Sequence, residues 1–223
     1  MVSFSFYRVD PAWRRLPRMT RTKHGGELQE VLGRFTKKLL VLTYSTVGLK
    51  ADTDFLIWRV SERLEDLQEL SAAIAQTALG GYLSMPYAYL SMTRRSMYVD
   101  KFDPDHQDRR RFITPAHAKY LFVYPFVKTR AWYLLPMEER QAMMDQHIAL
   151  GNKFPSVRLH TTYSFGLDDQ EFIVAFETDS PHDFLDLVMA LRETKASTYT
   201  LRDTPIFTCV AKPLPGLLKD LGA

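Results

Sequence analysis

The pattern of apolar and polar positions along this chain assigns most of its elements directly. Residues 120–128 (YLFVYPFVK) are rich in aromatic and β-branched side chains and predict a strand that ends before the polar Thr129. Residues 138–153 contain no helix breaker and follow Pro136, which suits a helix start. Residues 157–165 predict another strand, and Gly166-Leu167-Asp168-Asp169 has the chemistry of a hairpin turn into a strand over 171–177. Pro181 opens a helix that runs to about residue 193, and residues 205–210 predict a final strand. The first half reads alike: strand 3–9, helix around 26–38, a hairpin at Gly48, a helix over about 63–76 and a strand at 87–93. Both halves therefore follow β-α-β-β-α-β, the order of a split ferredoxin-like unit.

The two halves are also alike residue by residue. TYSTVGLKADTDFLIWRVSERLEDLQEL starts at Thr43 and TYSFGLDDQEFIVAFETDSPHDFLDL at Thr162, with the same sequence of turn, β run and acidic helix. AWRRLP at Ala12 and AWYLLP at Ala131 are separated by the same 119 positions as those threonines. Such landmarks in one order indicate a duplication. The expected fold class is α+β, with duplicated ferredoxin-like units forming a dimeric α+β barrel-type structure. Residues 1–115 form the first half with its connector and 116–223 the second. The connector itself, residues 94–118, is rich in Asp, Arg and Pro. Long connectors inside compact domains are often functional.

Composition narrows the function classes. The 223 residues are 46% hydrophobic and 25% charged, ordinary for a globular protein, and no apolar run reaches the length of a membrane span. The N-terminal MVSFSFYRVDPAWRR lacks the basic-then-apolar order of a secretory signal. A single cysteine, Cys209, excludes an internal disulfide and a multi-cysteine zinc site. These features predict a cytoplasmic protein without a membrane partner. The net charge of +3 gives no case for nucleic acid. Basic residues cluster at Arg14, Arg15, Arg18, Arg21 and Lys23, and again at Arg109, Arg110 and Arg111. Each cluster reads either as a solvated face or as a site for an anion.

Candidate chemistry is concentrated in the second half. On the predicted helix, His147 shares a face with Met143, Met144, Leu150 and Gly151. That stripe suits either a large flat apolar ligand or a partly buried, hydrogen-bonded histidine. No second histidine follows at the fourth position, so a zinc helix is not supported. The first copy's helix, taken as 26–38, carries no histidine. Along the strand 120–128, Tyr120, Phe122, Tyr124, Phe126 and Lys128 share one face. Such a row covers a sheet or lines a pocket, and Lys128 and Arg130 at its end are able to hold carboxylates. Asp168 and Asp169 read as turn residues, and Cys209 as a buried thiol. Phosphate loops, nucleophile elbows and Cys-x-x-Cys motifs are absent.

The segment YLFVYPFVKTRAWYLLPMEERQAMMDQHIALGNKFPS, followed by TYSFGLDDQEF, resembles the chlorite dismutase-like haem proteins, in particular their coproheme decarboxylase branch. The likeness is densest over residues 120–208. It implies that the second half binds haem, with His147 as the proximal ligand to the porphyrin iron. Tyr124 then matches the tyrosine that becomes a radical and takes hydrogen from a propionate, and Lys128 a lysine near that propionate. Arg192 and Ser197 match residues that contact other propionates. Arg110 matches a propionate-binding arginine, a role that Arg109 or Arg111 is equally placed to fill. Trp132 matches a pocket tryptophan whose part is packing.

The resemblance also implies an activity: peroxide-dependent oxidative decarboxylation of iron-coproporphyrin III (coproheme) to haem b through a tyrosyl radical. Coproheme is both substrate and redox centre, hydrogen peroxide the co-substrate and haem b the product. A homopentamer and a transient contact with a ferrochelatase are further expectations of this kind. Chlorite-degrading relatives carry a distal arginine on the strand after the proximal helix. Counting back from Gly166 places that position at Leu159, counting forward from His147 at His160, and Leu159 is preferred because the turn anchors the register. Members with an apolar residue there take a distal histidine from upstream, for which His106 and His117 are candidates. Ala196 stands where chlorite-degrading members set a carboxylate against the proximal imidazole. The alternatives are a chlorite dismutase-type enzyme and a non-catalytic haem carrier or sensor.

Overall fold

A computed structural model describes residues 1–98 and 112–223. The chain divides into two compact units, residues 1–90 with 208–223, and residues 91–207. The sequence division between 115 and 116 differs from this one at both ends. Residues 208–223 join the first unit because the last strand pairs with one near the start of the chain, Tyr44 opposite Ala211 and Ser45 opposite Val210.

The first unit contains strands β1 (Val2–Val9), β2 (Leu40–Ser45), β3 (Phe55–Val60), β4 (Leu83–Ser91) and β9 (Phe207–Ala211), in the order β4-β1-β3-β2-β9. Its first four strands have the 4-1-3-2 order of a ferredoxin-like sheet. Alternation along β1 sends Phe4 onto Trp58, with ring centres 5.3 Å apart, and Tyr7 onto Phe55 at 5.0 Å on the other face. Gly48, at φ 75°, makes the β2–β3 turn in the left-handed region that glycine enters without strain.

Two helices, Arg18–Phe35 and Leu64–Ala75, contribute to one core through Leu28, Val31, Leu32, Leu67, Leu70 and Ile74. The first starts eight positions before the expected 26, directly after Pro17, so Gly25 and Gly26 lie inside it. Gly25 allows close approach there: a Cβ on it would lie 3.0 Å from the Ala223 side chain. The earlier start also brings His24 into the helix, correcting the expectation of a helix without histidine. His24 accepts a hydrogen bond from the Trp13 indole at 3.3 Å. An unanticipated helix, Leu214–Leu221, adds Leu217, Leu218 and Leu221 to the same core.

The second unit contains β5 (Tyr120–Lys128), β6 (Arg158–Tyr163), β7 (Phe172–Thr178) and β8 (Thr200–Arg202). The order β5-β7-β6 repeats the 1-3-2 part of the first sheet, while β8 pairs with β5 at Val127 and Lys128, where the register shifts. Its helices are Arg130–Leu134, Met137–Gly151 and Pro181–Arg192, the last capped by the Ser180 hydroxyl, which accepts from the Asp183 amide. Gly166, at φ 71°, makes the turn equivalent to that at Gly48. No described helix is long and apolar enough to cross a membrane.

Candidate functional site

The duplication isolates what is special about the second unit. Helices Arg18–Phe35 and Met137–Gly151 both begin one residue after a proline, Pro17 and Pro136, whose separation is again 119. Each follows a short helix holding a buried tryptophan, Trp13 or Trp132. The same spacing carries Leu28, Val31 and Leu32 onto His147, Leu150 and Gly151. The three aliphatic residues are buried in the first unit's core. Their counterparts are only half-buried. A Cβ built on Gly151 would meet nothing within 4 Å outside its own helix. A helix face that closes a core in one copy is left open in the other.

Around this face lie two small apolar clusters. Met143, one turn before His147, is buried with Trp132 and Ala196, and Met144 and Tyr199 pack against them. Phe154, beyond the helix, packs instead on the cluster of Phe122, Tyr124, Phe176, Phe184 and Leu187. The aromatic row expected along β5 is present: Tyr120, Phe122, Tyr124 and Phe126 all join this second cluster. Tyr124 stacks on Phe176 with ring centres 5.9 Å apart. Burial raises its pKa well above the usual phenol range, nearby Asp203 raises it further, and Arg192 opposes both. The hydroxyl is therefore protonated at neutral pH.

The register of β6 separates Leu159 from His160. Leu159 stands opposite Phe176 and packs in the Tyr124 cluster. His160 stands opposite Ala175, so its side chain leaves the other face of the sheet. There its Nε2 meets Glu177 Oε2 at 2.7 Å, and both residues are buried. Glu177 Oε2 also accepts from the Ala116 amide at 2.7 Å. His117 is exposed, at φ 54°, and takes no part in the Tyr124 cluster. His106, Arg109, Arg110 and Arg111 lie outside the described residues.

Lys128 is held at the register shift of β5. Its ammonium donates to the Ala196 carbonyl at 2.7 Å and lies 4.5 Å from the centre of the Trp132 ring. Burial lowers its pKa and Glu171 partly offsets this, leaving it at about 8. Trp132 therefore does more than pack. Its indole donates to the Tyr98 hydroxyl at 3.1 Å while its face covers the ammonium. Arg192 ends the helix Pro181–Arg192 and is ion-paired with Asp203, the residue after β8. The Ser197 hydroxyl is within hydrogen-bonding reach of the carbonyls of Arg192 at 2.7 Å and Thr194 at 2.8 Å, and its one proton serves one of them at a time.

Two acidic residues near these groups escaped the sequence reading. Glu171 is buried, and its Oε2 accepts from the Lys128 amide at 2.8 Å and the Tyr133 hydroxyl at 2.5 Å. Asp203 is the partner of Arg192. Each acts across more than ten residues of chain, so local pattern gave no sign of either. Asp168 and Asp169 are turn residues as expected, with the Asp169 amide bonded to Asp168 Oδ1. Cys209 is fully buried, and burial pushes its thiol pKa up. No group of three or more His, Cys, Asp or Glu suited to a metal occurs among the described residues.

A duplicated ferredoxin-like α+β protein, with imidazole, phenol and cationic side chains gathered in its second copy, defines the class. The chlorite dismutase family model matches residues 21–212, and the chain belongs to that family. It is 35% identical to the coproheme decarboxylase of Mycolicibacterium smegmatis over 74% of this chain and 70% of that protein. It is 30% identical to the coproheme decarboxylase of Staphylococcus carnosus over 67% of this chain, a match spanning 64% of that relative's length. A solved variant of the chlorite dismutase of Candidatus Nitrospira defluvii superposes with a TM-score of 0.91 at 26% identity, covering 100% of this chain and 94% of that one.

Proposed function

We propose that this protein is a coproheme decarboxylase, converting iron-coproporphyrin III and hydrogen peroxide to haem b. The observation that carries the reading is the replacement of core Leu28 and Leu32 by His147 and Gly151 in the second copy, whose other functional candidates include the buried Tyr124. Its residues fit a flat, polyanionic iron porphyrin. Gly151 leaves space at the helix, the Met143 and Phe122 clusters supply apolar walls, His147 is a lone nitrogen ligand, and Lys128, Arg192 and Ser197 receive carboxylates. Arg110, with Arg109 or Arg111 in its place, adds a further cation in this reading.

When bound, the iron porphyrin supplies the redox centre at which peroxide is reduced. His147 would hold the iron, and Leu159 would add an apolar side chain from the Tyr124 cluster. Tyr124, protonated at rest, gives up its hydrogen atom and then takes one from the propionate, while Lys128 steadies the carboxylate. For each propionate, peroxide and one proton are consumed, and one vinyl group, carbon dioxide and two waters form. The reading also includes a cytoplasmic homopentamer that receives coproheme from a ferrochelatase.

The test is incubation of the purified protein with iron-coproporphyrin III and peroxide, followed by mass analysis of the porphyrins. Two successive losses equivalent to formic acid are expected, and unchanged coproheme overturns the reading. Likeness to a chlorite dismutase structure raises a second reading, chlorite decomposition. Leu159 and Ala196, in place of an arginine and a carboxylate, speak against it. Oxygen release from chlorite by the haem-loaded protein would favour it.

A further inference from the structure

Asp203 has no part in the reading above, yet it occupies the cation that the reading assigns to a propionate. It ion-pairs with Arg192, and its side chain is 17% exposed against 50% for the arginine. The pair is not a remote surface contact. Asp203 directly follows β8, whose Arg202 stands opposite Val127 of β5, three residues beyond Tyr124. Arg192 and Asp203 are also the two charged side chains that act on the Tyr124 phenol. An arginine presents five donors in a fixed fork, so one guanidinium is able to serve two carboxylates. The two carboxylates would then repel each other across it, partly screened because the guanidinium is half exposed.

We propose that Asp203 is a positioning residue that sets selectivity between substrate and product by competing with a propionate for Arg192. The proposal rests on the coproheme reading, with Arg192 as a propionate contact. Without porphyrin, Asp203 satisfies and orients the guanidinium. When a propionate arrives, Arg192 is shared and Asp203 weakens the binding of the anion. Because Arg192 and Asp203 lie close enough to act on the Tyr124 phenol, the propionate at Arg192 is taken in this proposal as one of the two that the reaction removes, so that the product leaves the Arg192–Asp203 pair intact. Asp203 thereby acts on the tetra-anionic substrate and not on the product, and it limits how tightly the substrate is held.

The test compares dissociation constants for iron-coproporphyrin III and for haem b, read by absorbance without peroxide, in the wild type, Asp203→Asn and Asp203→Glu. In Asp203→Asn coproheme is expected to bind about three- to fivefold more tightly, the upper end of what one partly screened charge pair contributes. Haem b affinity is expected to stay within about twofold, since no carboxylate competes there. Asp203→Glu restores the wild-type ratio. A cycle with Arg192→Ala abolishes the gain, since the competition acts through that guanidinium. Equal shifts for both porphyrins, or no shift in the Asn variant, would overturn the proposal. Failure of the wild type to convert coproheme would overturn the functional reading instead, and mass analysis separates that outcome from the binding contrast.

Discussion

Lys128 and Glu171 are joined through the backbone and not through their charges. The Lys128 amide donates to Glu171 Oε2 at 2.8 Å, while the ammonium turns to the Ala196 carbonyl at 2.7 Å. The carboxylate therefore fixes the strand at its register shift and still raises the lysine's proton affinity from a distance.

That arrangement gives a pH dependence with a definite sign. Coproheme affinity is expected to fall as pH rises through about 8, where the free Lys128 ammonium loses its proton. In Glu171→Gln the charge that raises this value is removed, burial acts alone, and the midpoint moves to lower pH. Binding titrations across the range check it, and an unmoved midpoint refutes the coupling. For stability the sign is opposite to that of an ordinary ion-paired lysine. The folded pKa lies below the unfolded one, so the unfolded chain binds more protons in that window and stability rises from about pH 8 towards ~10.4.

Tyr124→Phe is expected to retain the fold and coproheme binding but to form no vinyl product. The ring keeps its stack on Phe176, so stability changes by about 1 kcal/mol or less. Mass analysis after peroxide addition reads the result, and normal conversion would remove Tyr124 from the mechanism.

His147→Leu restores the residue that the first copy has at the equivalent position, Leu28. The variant is expected to keep the fold, since leucine at the equivalent position of the first copy closes a core. The spectrum of added coproheme is expected to lose its imidazole-ligated signature. An unchanged spectrum eliminates His147 as the ligand.

His160→Ala separates a structural histidine from a pocket one. It leaves the buried Glu177 carboxylate with the Ala116 amide but without its side-chain partner. Loss of one member of a buried pair costs ~3–5 kcal/mol. Denaturant unfolding is expected to show that loss while the porphyrin spectrum is unchanged. Burial alone would raise the Glu177 pKa, but hydrogen bonds from His160 and Ala116 outweigh it and hold the carboxyl low. Its contribution to stability is present above the usual carboxylate range and is lost as pH falls through the lowered value.

What was legible in the sequence was what depends on neighbours in the chain. The strand at 120–128 coincides with β5, and the other expected strands and helices of the second copy fall within a few residues of their bounds, while the helix Arg130–Leu134 and the strand β8 had no expected counterpart. Periodicity places His147, Tyr124 and Lys128 on their faces, while the roles proposed for them come from the resemblance and not from the pattern. Register decided between Leu159 and His160 only once β7 supplied a reference strand. The helix Arg18–Phe35 starts eight residues before its expected bound, and its Gly25 packs close to Ala223, a contact across the length of the chain that local pattern does not show. Glu171 and Asp203 were illegible for the same reason, since an acidic residue beside a strand looks like a turn until its distant partner is known.

The pairing of β9 with β2 places both chain ends in one unit. Topologically, the part that carries Tyr124 and His147 is an insertion, a folded excursion leaving at Ser91 and returning at Phe207. A segment anchored at both ends has fewer conformations to explore when it opens than one with a free end, and closing so long a loop is an entropic cost on the order of 4 kcal/mol met once, when β9 docks. Openings of the half-buried helix face thus remain tethered excursions from which the chain readily returns, which suits the admission and release of a large rigid ligand that the proposed function calls for.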